Sequence, residues 1–157
     1  MTKPQQLYMK QAIAEALHSK ELGDYAIGAV MVHNDTVIAG SGNRTHIDKD
    51  PTHHAEMVVM RHAASILGRK HLNGCVLYVT HEPCPMCASA AVYARVKAIV
   101  FGARMDDMTE YAQKFGNDTW KWRTIRIPAE NVMQLTDNQV ELVKDFMREE
   151  CIKLFHS

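Results

Sequence analysis

No stretch of this chain approaches the ~18 consecutive apolar residues of a membrane span, and its opening segment, Met1 to Lys10, lacks the apolar core of an export signal. The expectation is a soluble protein of the cytoplasm. Charge of one sign is also missing, since 18 Lys and Arg balance 18 Asp and Glu and no block of like charge occurs. Proteins that grip nucleic acid chiefly through phosphates are usually more basic, so this balance disfavours an RNA partner without removing it. Repeats, linkers and low-complexity tracts are absent, and 157 residues suffice for one core but not two, so residues 1–157 read as a single domain. The composition, 46% hydrophobic and 23% charged, points to no unusual class. Cysteine is scarce at four residues. Cys75 falls in a strand-like run and Cys151 in a helix-like one, and both read as buried, reduced thiols.

What is present is concentrated in two short segments. His54-Ala55-Glu56 is followed by Pro83-Cys84-Pro85-Met86-Cys87. One imidazole and two thiolates supply three ligands for a single tetrahedral Zn2+ and leave the fourth corner to water, as catalytic zinc sites do. A structural zinc knot is the alternative, and it needs a fourth ligand from Cys75, Cys151, His53 or His81. It would also have no use for Glu56, a carboxylate that can reach a metal-activated water and carry its protons. His53 is a decoy read as a capping or surface residue, because only His54 has Glu two positions on.

The spacing constrains the local structure. Cys84 and Cys87, three apart, share one helix face, and Pro83 and Pro85 suit a helix entry and first turn. Both sulfurs then lie at a helix N-terminus, where unpaired N–H groups and the dipole favour thiolate. His54 and Glu56, two apart, would point nearly opposite ways inside a regular helix, so they belong where a helix begins. Asp50-Pro51-Thr52 supplies the start, and Ala55, Val59, His62, Ala63 and Ile66 continue it. Elsewhere Met9, Ala12, Ile13, Ala16 and Leu17 form the core stripe of an opening helix that stops near Gly23. Ala26 to Val32 and Val37 to Gly40 flank His33-Asn34-Asp35-Thr36 as a hairpin. Cys75 to Thr80 and Ala98 to Gly102 are strands, with the cysteine helix between them running to about Ala94. This succession implies right-handed crossovers and a parallel portion of sheet, with the metal at its carboxyl end. Residues 103 to 128 read as a short helix plus a loop covering the site. A last helix carries Leu142, Val143, Phe146, Met147, Cys151 and Leu154.

From about Gly28 to Ala103 the chain resembles the cytidine deaminase-like superfamily, in the branch of tRNA adenosine deaminases and small guanine deaminases. The resemblance rests on Gly40-Ser41-Gly42-Asn43-Arg44, Asp50-Pro51-Thr52, the two metal segments, Tyr78-Val79-Thr80 and Ala94-Arg95. H-x-E followed by P-C-x-x-C is the signature of zinc nucleobase deaminases. It implies an α/β fold, a three-layer α/β/α sandwich with a five-stranded mixed sheet, and usually a homodimer. It also implies hydrolytic deamination, in which Glu56 protonates a ring nitrogen and then the departing ammonia.

Pro85 resembles the guanine deaminase form, so free guanine is the first expected substrate. An adenosine in tRNA is the alternative, followed by cytosine or a related heterocycle and, from another class, a non-catalytic zinc module. The resemblance assigns the substrate to Asn43 and Ala55, and to a carboxylate after the fifth strand, Asp118 first and Asp107 second. Phe155 and His156 are the C-terminal lid residues. Asn43 beside Gly42 also suits a turn, and Asp118 beside Gly116-Asn117 suits a turn or cap. His81, adjacent to the motif, reads as pocket-lining, with a surface position as the competing placement. Trp120 and Trp122 around Lys121 offer stacking for bases or, alternatively, core or interface packing. With Arg123 and Arg126 they form the one local basic segment an RNA could use.

Overall fold

The computed structural model describes residues 1–156. Helix α1 (Gln6–Glu21) buries Tyr8, Met9, Ala12 and Ala16 at helical spacing. Leu17, expected on the same stripe, is exposed, since one residue step of ~100° from Ala16 carries it off the buried face. Strands β1 (Gly28–His33) and β2 (Thr36–Gly42) pair antiparallel. Their two-residue turn holds Asn34 and Asp35 at φ 48° and 57°, the left-handed pair whose twist matches a hairpin and which Asn and Asp tolerate. Helix α1 lies directly on this hairpin because two glycines leave room for it. A Cβ on Gly28 would stand 2.0 Å from the Ala12 carbonyl oxygen, and one on Gly42 would stand 2.3 Å from the Ser19 Cβ.

Helix α2 (Ala55–Leu67), strand β3 (Val76–His81), helix α3 (Pro85–Ala94) and strand β4 (Ala98–Ala103) follow. On α2 the buried residues are Ala55, Glu56, Val58, Val59, Met60 and Ala63; Ile66, expected to continue the stripe, is exposed. The sheet order is β2-β1-β3-β4-β5, with β1 antiparallel to β2 and β3, and β3, β4 and β5 mutually parallel. This is the expected mixed five-stranded sheet. Its alternation sorts the core into two layers. Ala29, Met31, Leu77, Val79, Ile99 and Phe101 face α2 and α3, whereas Val30, Tyr78 and Val100 face α1.

Residues 103–128 form the expected short helix and loop, and the chain departs from expectation beyond them. Helix α4 (Met105–Phe115) is followed by an irregular segment, then by a short helix, α5 (Ala129–Gln134), not anticipated from sequence. Leu142 and Val143 belong to strand β5 (Glu141–Val143) and not to a helix. Asp145 and Met147, at φ 65° and 54°, break the chain before α6 (Arg148–Ile152). Three residues are too few to display strand alternation, and the Leu-Val-x-x-Phe-Met spacing mimics a helix. No helix among the described residues is long and apolar enough to cross a membrane.

Candidate active site

His54 is the N-cap of α2 and Cys84 the N-cap of α3, with Pro85 in that helix's first turn. Both have extended backbone, so the chain turns into each helix at a prospective ligand. This solves the His-x-Glu problem, because His54 stands just outside α2 while Glu56 is already in its first turn. The His54 Nδ1 lies 3.5 Å from the Cys84 Sγ and 3.6 Å from the Cys87 Sγ. A tetrahedral zinc with bonds of ~2.3 Å to sulfur and ~2.0–2.1 Å to nitrogen holds those atoms about 3.5–3.6 Å apart. The donor set therefore fits zinc in kind and in spacing. Among the described residues no fourth His, Cys, Asp or Glu joins this group, so the arrangement suits an open position over a closed structural knot. The ring of His53 is instead clamped between Asp48 at 2.9 Å and Asp50 at 3.1 Å.

The electrostatics suit a cation. Hydrogen bonding from Cys87, reinforced by His54, lowers the Cys84 thiol to about 4, and the same partnership with burial raises Cys87. One proton is thus shared between two sulfurs that a metal would deprotonate together. Glu56 is buried, and its desolvation raises the carboxyl to about 7 against the opposing pull of His54.

A cavity of about 110 Å³ opens onto this group. It is small beside the ~300–1,000 Å³ of drug-sized sites, so it suits one heterocycle with the rest of the substrate outside. A larger, open groove of about 500 Å³ between α1, β2 and α2 contains neither the metal group nor Glu56. The small cavity is the one with chemistry. His54, Glu56, Glu82 and Cys84 form its floor, and Asn43, Thr45, Tyr25 and Ile27 one wall. His81, Trp122 and Phe155 form another, with Lys121 and Arg123 at the exposed rim.

The structure thus gathers His54, Glu56, Cys84, Asn43, His81 and Phe155 around one cavity, with Cys87 buried in the metal group behind it. Two expected substrate residues are not there. Ala55 is fully buried in the core beneath α2 and does not line the cavity, because its position in the helix directs it away from His54 and Glu56. Asp118 is exposed and also outside the lining. The Asn117 side chain accepts from the Thr119 and Trp120 N–H groups at 3.0 and 2.6 Å, forming a tight turn that leaves Asp118 at its tip. The second choice, Asp107, accepts from Arg104 N–H at 2.9 Å and pairs with Arg148, so it is a helix cap tied to α6. His156 packs behind the lining, against Phe155 and Tyr111.

Two carboxylates escaped the sequence reading. Asp24, fully buried, accepts from the N–H groups of Tyr25, His46 and Ile47 and from the Asn43 side chain at 2.7 Å. It thereby folds the Asn43–Ile47 wall. Asn43 Nδ2 donates its second hydrogen to Thr45 at 2.8 Å, which leaves Oδ1 as its free function. A lone Asp after Gly23 looks like an ordinary turn, so no sequence signal marked it. Glu82 accepts the N–H of Met105 at 2.7 Å and of Ala129 at 3.2 Å, the starts of α4 and α5. Its place in Glu82-Pro83-Cys84 was the available clue.

Comparison with known proteins agrees with this geometry. Residues 2–103 match the model for the cytidine and deoxycytidylate deaminase zinc-binding region. The chain belongs to that family of zinc-dependent deaminases, and its His54, Cys84 and Cys87 form a group that fits one zinc ion. Among its relatives is a tRNA-specific adenosine deaminase of Bacillus subtilis (strain 168), 49% identical over 98 residues, which are 62% of this chain and 61% of that protein. A guanine deaminase of the same organism is 36% identical over 124 residues, 78% of each. A solved structure from work on A-to-I editing by tRNA:A34 deaminases at the wobble position superposes with TM-score 0.72 at 32% identity, over 96% of this chain and 99% of the other. The sequence match spans about six-tenths of the length of the Bacillus subtilis tRNA-specific adenosine deaminase and of two other bacterial tRNA-specific adenosine deaminases.

Proposed function

We propose that this chain is a zinc-dependent hydrolytic deaminase of adenosine in tRNA, consuming water and releasing ammonia to leave inosine. The observation that carries this reading is the cavity's shortage of carboxylates. Guanine presents N1–H and a 2-amino group, a donor edge that calls for a free acceptor carboxylate. Asp118 is outside the cavity, Asp107 is paired with Arg148, Glu82 is spent on two helix starts, and Glu56 is reserved for proton transfer. Adenine makes no such demand. The similarity to tRNA adenosine deaminases supports the same choice. So does the rim, where Lys121 and Arg123 flank a mouth carrying Tyr25, His46 and Trp120. Single-stranded RNA bases are recognised by such stacking surfaces with neighbouring cations. Guanine, first in the sequence reading on Pro85 and Asp118, therefore gives way to the alternative.

When bound, zinc supplies Lewis-acid chemistry that makes water nucleophilic near neutral pH. The protein's own part is proton traffic and orientation. Glu56 takes a proton from the attacking water and gives it to the ring nitrogen beside the amino-bearing carbon. It then takes the remaining proton of the added hydroxyl and passes it to the amine, which leaves as ammonia as the C–N bond breaks and the carbonyl of inosine forms. Asn43, its amide fixed by Asp24 and Thr45, turns Oδ1 towards the base or sugar as an acceptor. The small volume keeps bulk water out and admits one base swung out of its stack.

A homodimer belongs to this reading as well. On the neighbouring helices α2 and α3, Ile66 is 61% and Tyr93 81% exposed, apolar surface that a second copy would cover. Sedimentation of wild type against Tyr93→Asp tests it, and a monomeric wild type would remove it. For the substrate, inosine formation in an anticodon stem-loop is compared with ammonia release from free guanine, adenine and cytosine at two salt concentrations. Expected are inosine in the RNA, falling steeply with salt, and idle free bases. Turnover of free guanine with untouched RNA would overturn the proposal.

A further inference from the structure

At the end of β3, His81 is 2% exposed and lines the cavity, yet its Nε2 has no hydrogen-bond partner. The other ring nitrogen decides what Nε2 carries. His81 Nδ1 lies 2.6 Å from the Thr80 hydroxyl, which is itself fully buried and already accepts the Gly28 N–H at 3.2 Å. The Thr80 O–H has no other outlet. Were Nδ1 protonated and donating to Thr80, the hydroxyl hydrogen would be stranded in the core, at the full desolvation cost of an unmet donor. The satisfied arrangement has Thr80 donating to a bare Nδ1. A neutral imidazole then holds its one proton on Nε2. Burial, with His156 nearby, keeps the ring neutral by pushing its pKa down to about 3.

Resting on the proposed reading of the site, we infer that His81 is a substrate-binding residue whose Nε2–H donates to an acceptor on the base. The Trp122 Nε1–H, buried and unpartnered on a ring 5.7 Å away, provides a second donor on the same wall. Buried donors left without partners are rare because they are costly, and two on one cavity wall mark a place where a ligand supplies acceptors. Adenine supplies them. Its N7 on one edge or its N3 on the other, whichever edge faces this wall, is the acceptor for His81, and neither is the nitrogen that Glu56 protonates. Thr80 acts one step back as a positioning residue, setting the tautomer without touching substrate.

The test compares wild type, His81→Phe and His81→Gln on anticodon stem-loops carrying adenosine, 7-deazaadenosine or 3-deazaadenosine at the reactive position. Phe keeps a flat ring without a donor, and Gln returns an N–H near the Nε2 position. Wild type should lose about tenfold to a hundredfold in kcat/KM on the one analogue that lacks the contacted nitrogen. His81→Phe should lose a similar factor on adenosine and nothing further on that analogue, while His81→Gln recovers part of the loss. Ratios within one variant cancel differences in folded fraction. An equal penalty for His81→Phe on all three RNAs, or none on adenosine, would overturn the inference. If wild type leaves every RNA untouched, it is the RNA reading that fails. The same ratios on whichever free base is turned over, with its deaza analogues, then judge His81 separately. Nitrogen NMR of the His81 ring gives an independent readout, and a proton on Nδ1 would also overturn the assignment.

Discussion

Replacing Glu56 with Gln removes one capability and leaves nearly everything else in place. The side chain is 4% exposed, so an isosteric amide fills the same space and opens no cavity. Gln cannot take a proton from water or return one to the base. Positioned acid-base catalysis contributes about 10²- to 10⁴-fold, or ~2.7 to 5.4 kcal/mol at 1.36 kcal/mol per decade. Stability should move the other way. Burial raises the Glu56 carboxyl to about 7 from an ordinary 4.5, so the folded chain holds this proton more tightly than the unfolded chain. Native stability therefore falls as pH rises through that window, and the carboxylate is a burden above it. In protein stripped of metal with a chelator, Glu56→Gln should melt at or above the wild-type temperature at pH 8. Single-turnover inosine formation with zinc in excess, metal analysis of the purified variant and thermal melts after chelation make the comparison. Activity within about tenfold of wild type would refute the proton-carrier role, and loss of zinc would show Glu56 to be a ligand.

Four further outcomes are expected. Zinc analysis should give one ion per chain, lost in His54→Ala, Cys84→Ala and Cys87→Ala and kept in His53→Ala, whose ring is engaged by Asp48 and Asp50. Asp118→Asn should leave kcat/KM unchanged, because the side chain is exposed outside the cavity lining; a drop of tenfold would return it to the site. Against the opposing effect of burial, Arg148 and the Arg104 N–H hold Asp107 below its ordinary range. That stabilisation is complete above the unfolded carboxyl pKa near 4 and is lost as pH falls through the lower folded value. Asp107→Asn should thus flatten the acid limb of a melting-temperature profile, and an unchanged limb would deny the link. Gly28→Ala, whose methyl meets the Ala12 carbonyl and Ala16 nitrogen at 2.0 and 2.5 Å, should cost about 3 kcal/mol in urea unfolding by forcing α1 off the hairpin.

The metal group was legible in the sequence because ligand chemistry and helix entry obey the same few residues. Pro85 and the extended His54 and Cys84 caps are local facts, visible without the rest of the chain. Strands β3 and β4 were legible for a related reason, since strands buried on both faces read as unbroken apolar runs. Asp24 was not. Its importance comes from residues about twenty positions away, the backbone N–H groups of His46 and Ile47 and the side chain of Asn43, and nothing in Gly23-Asp24-Tyr25 announces them. Asp118 failed in the opposite way. Its chemistry was suitable, but the Asn117 turn beside it decided where it would point, and a loop's direction is set by contacts that spacing does not encode. Strand β5 was hidden by its brevity.

Glu82 has an evolutionary consequence. One carboxylate pegs the first residues of both α4 and α5, so the chain between Met105 and Ala129 leaves from and returns to nearly the same point. The segment is a cassette clipped at both ends to the residue that precedes the cysteine motif. Its interior, including the turn at Asn117 and the Lys121–Thr124 stretch over the cavity, can lengthen, shorten or change its chemistry while both ends stay fastened. Selection for a new base can then rewrite the roof of the site without disturbing the ligands on its floor, and a cassette transplanted from a relative has to keep the two fastened N–H groups, the buried Met105 and Met108, and the Asp107–Arg148 pair.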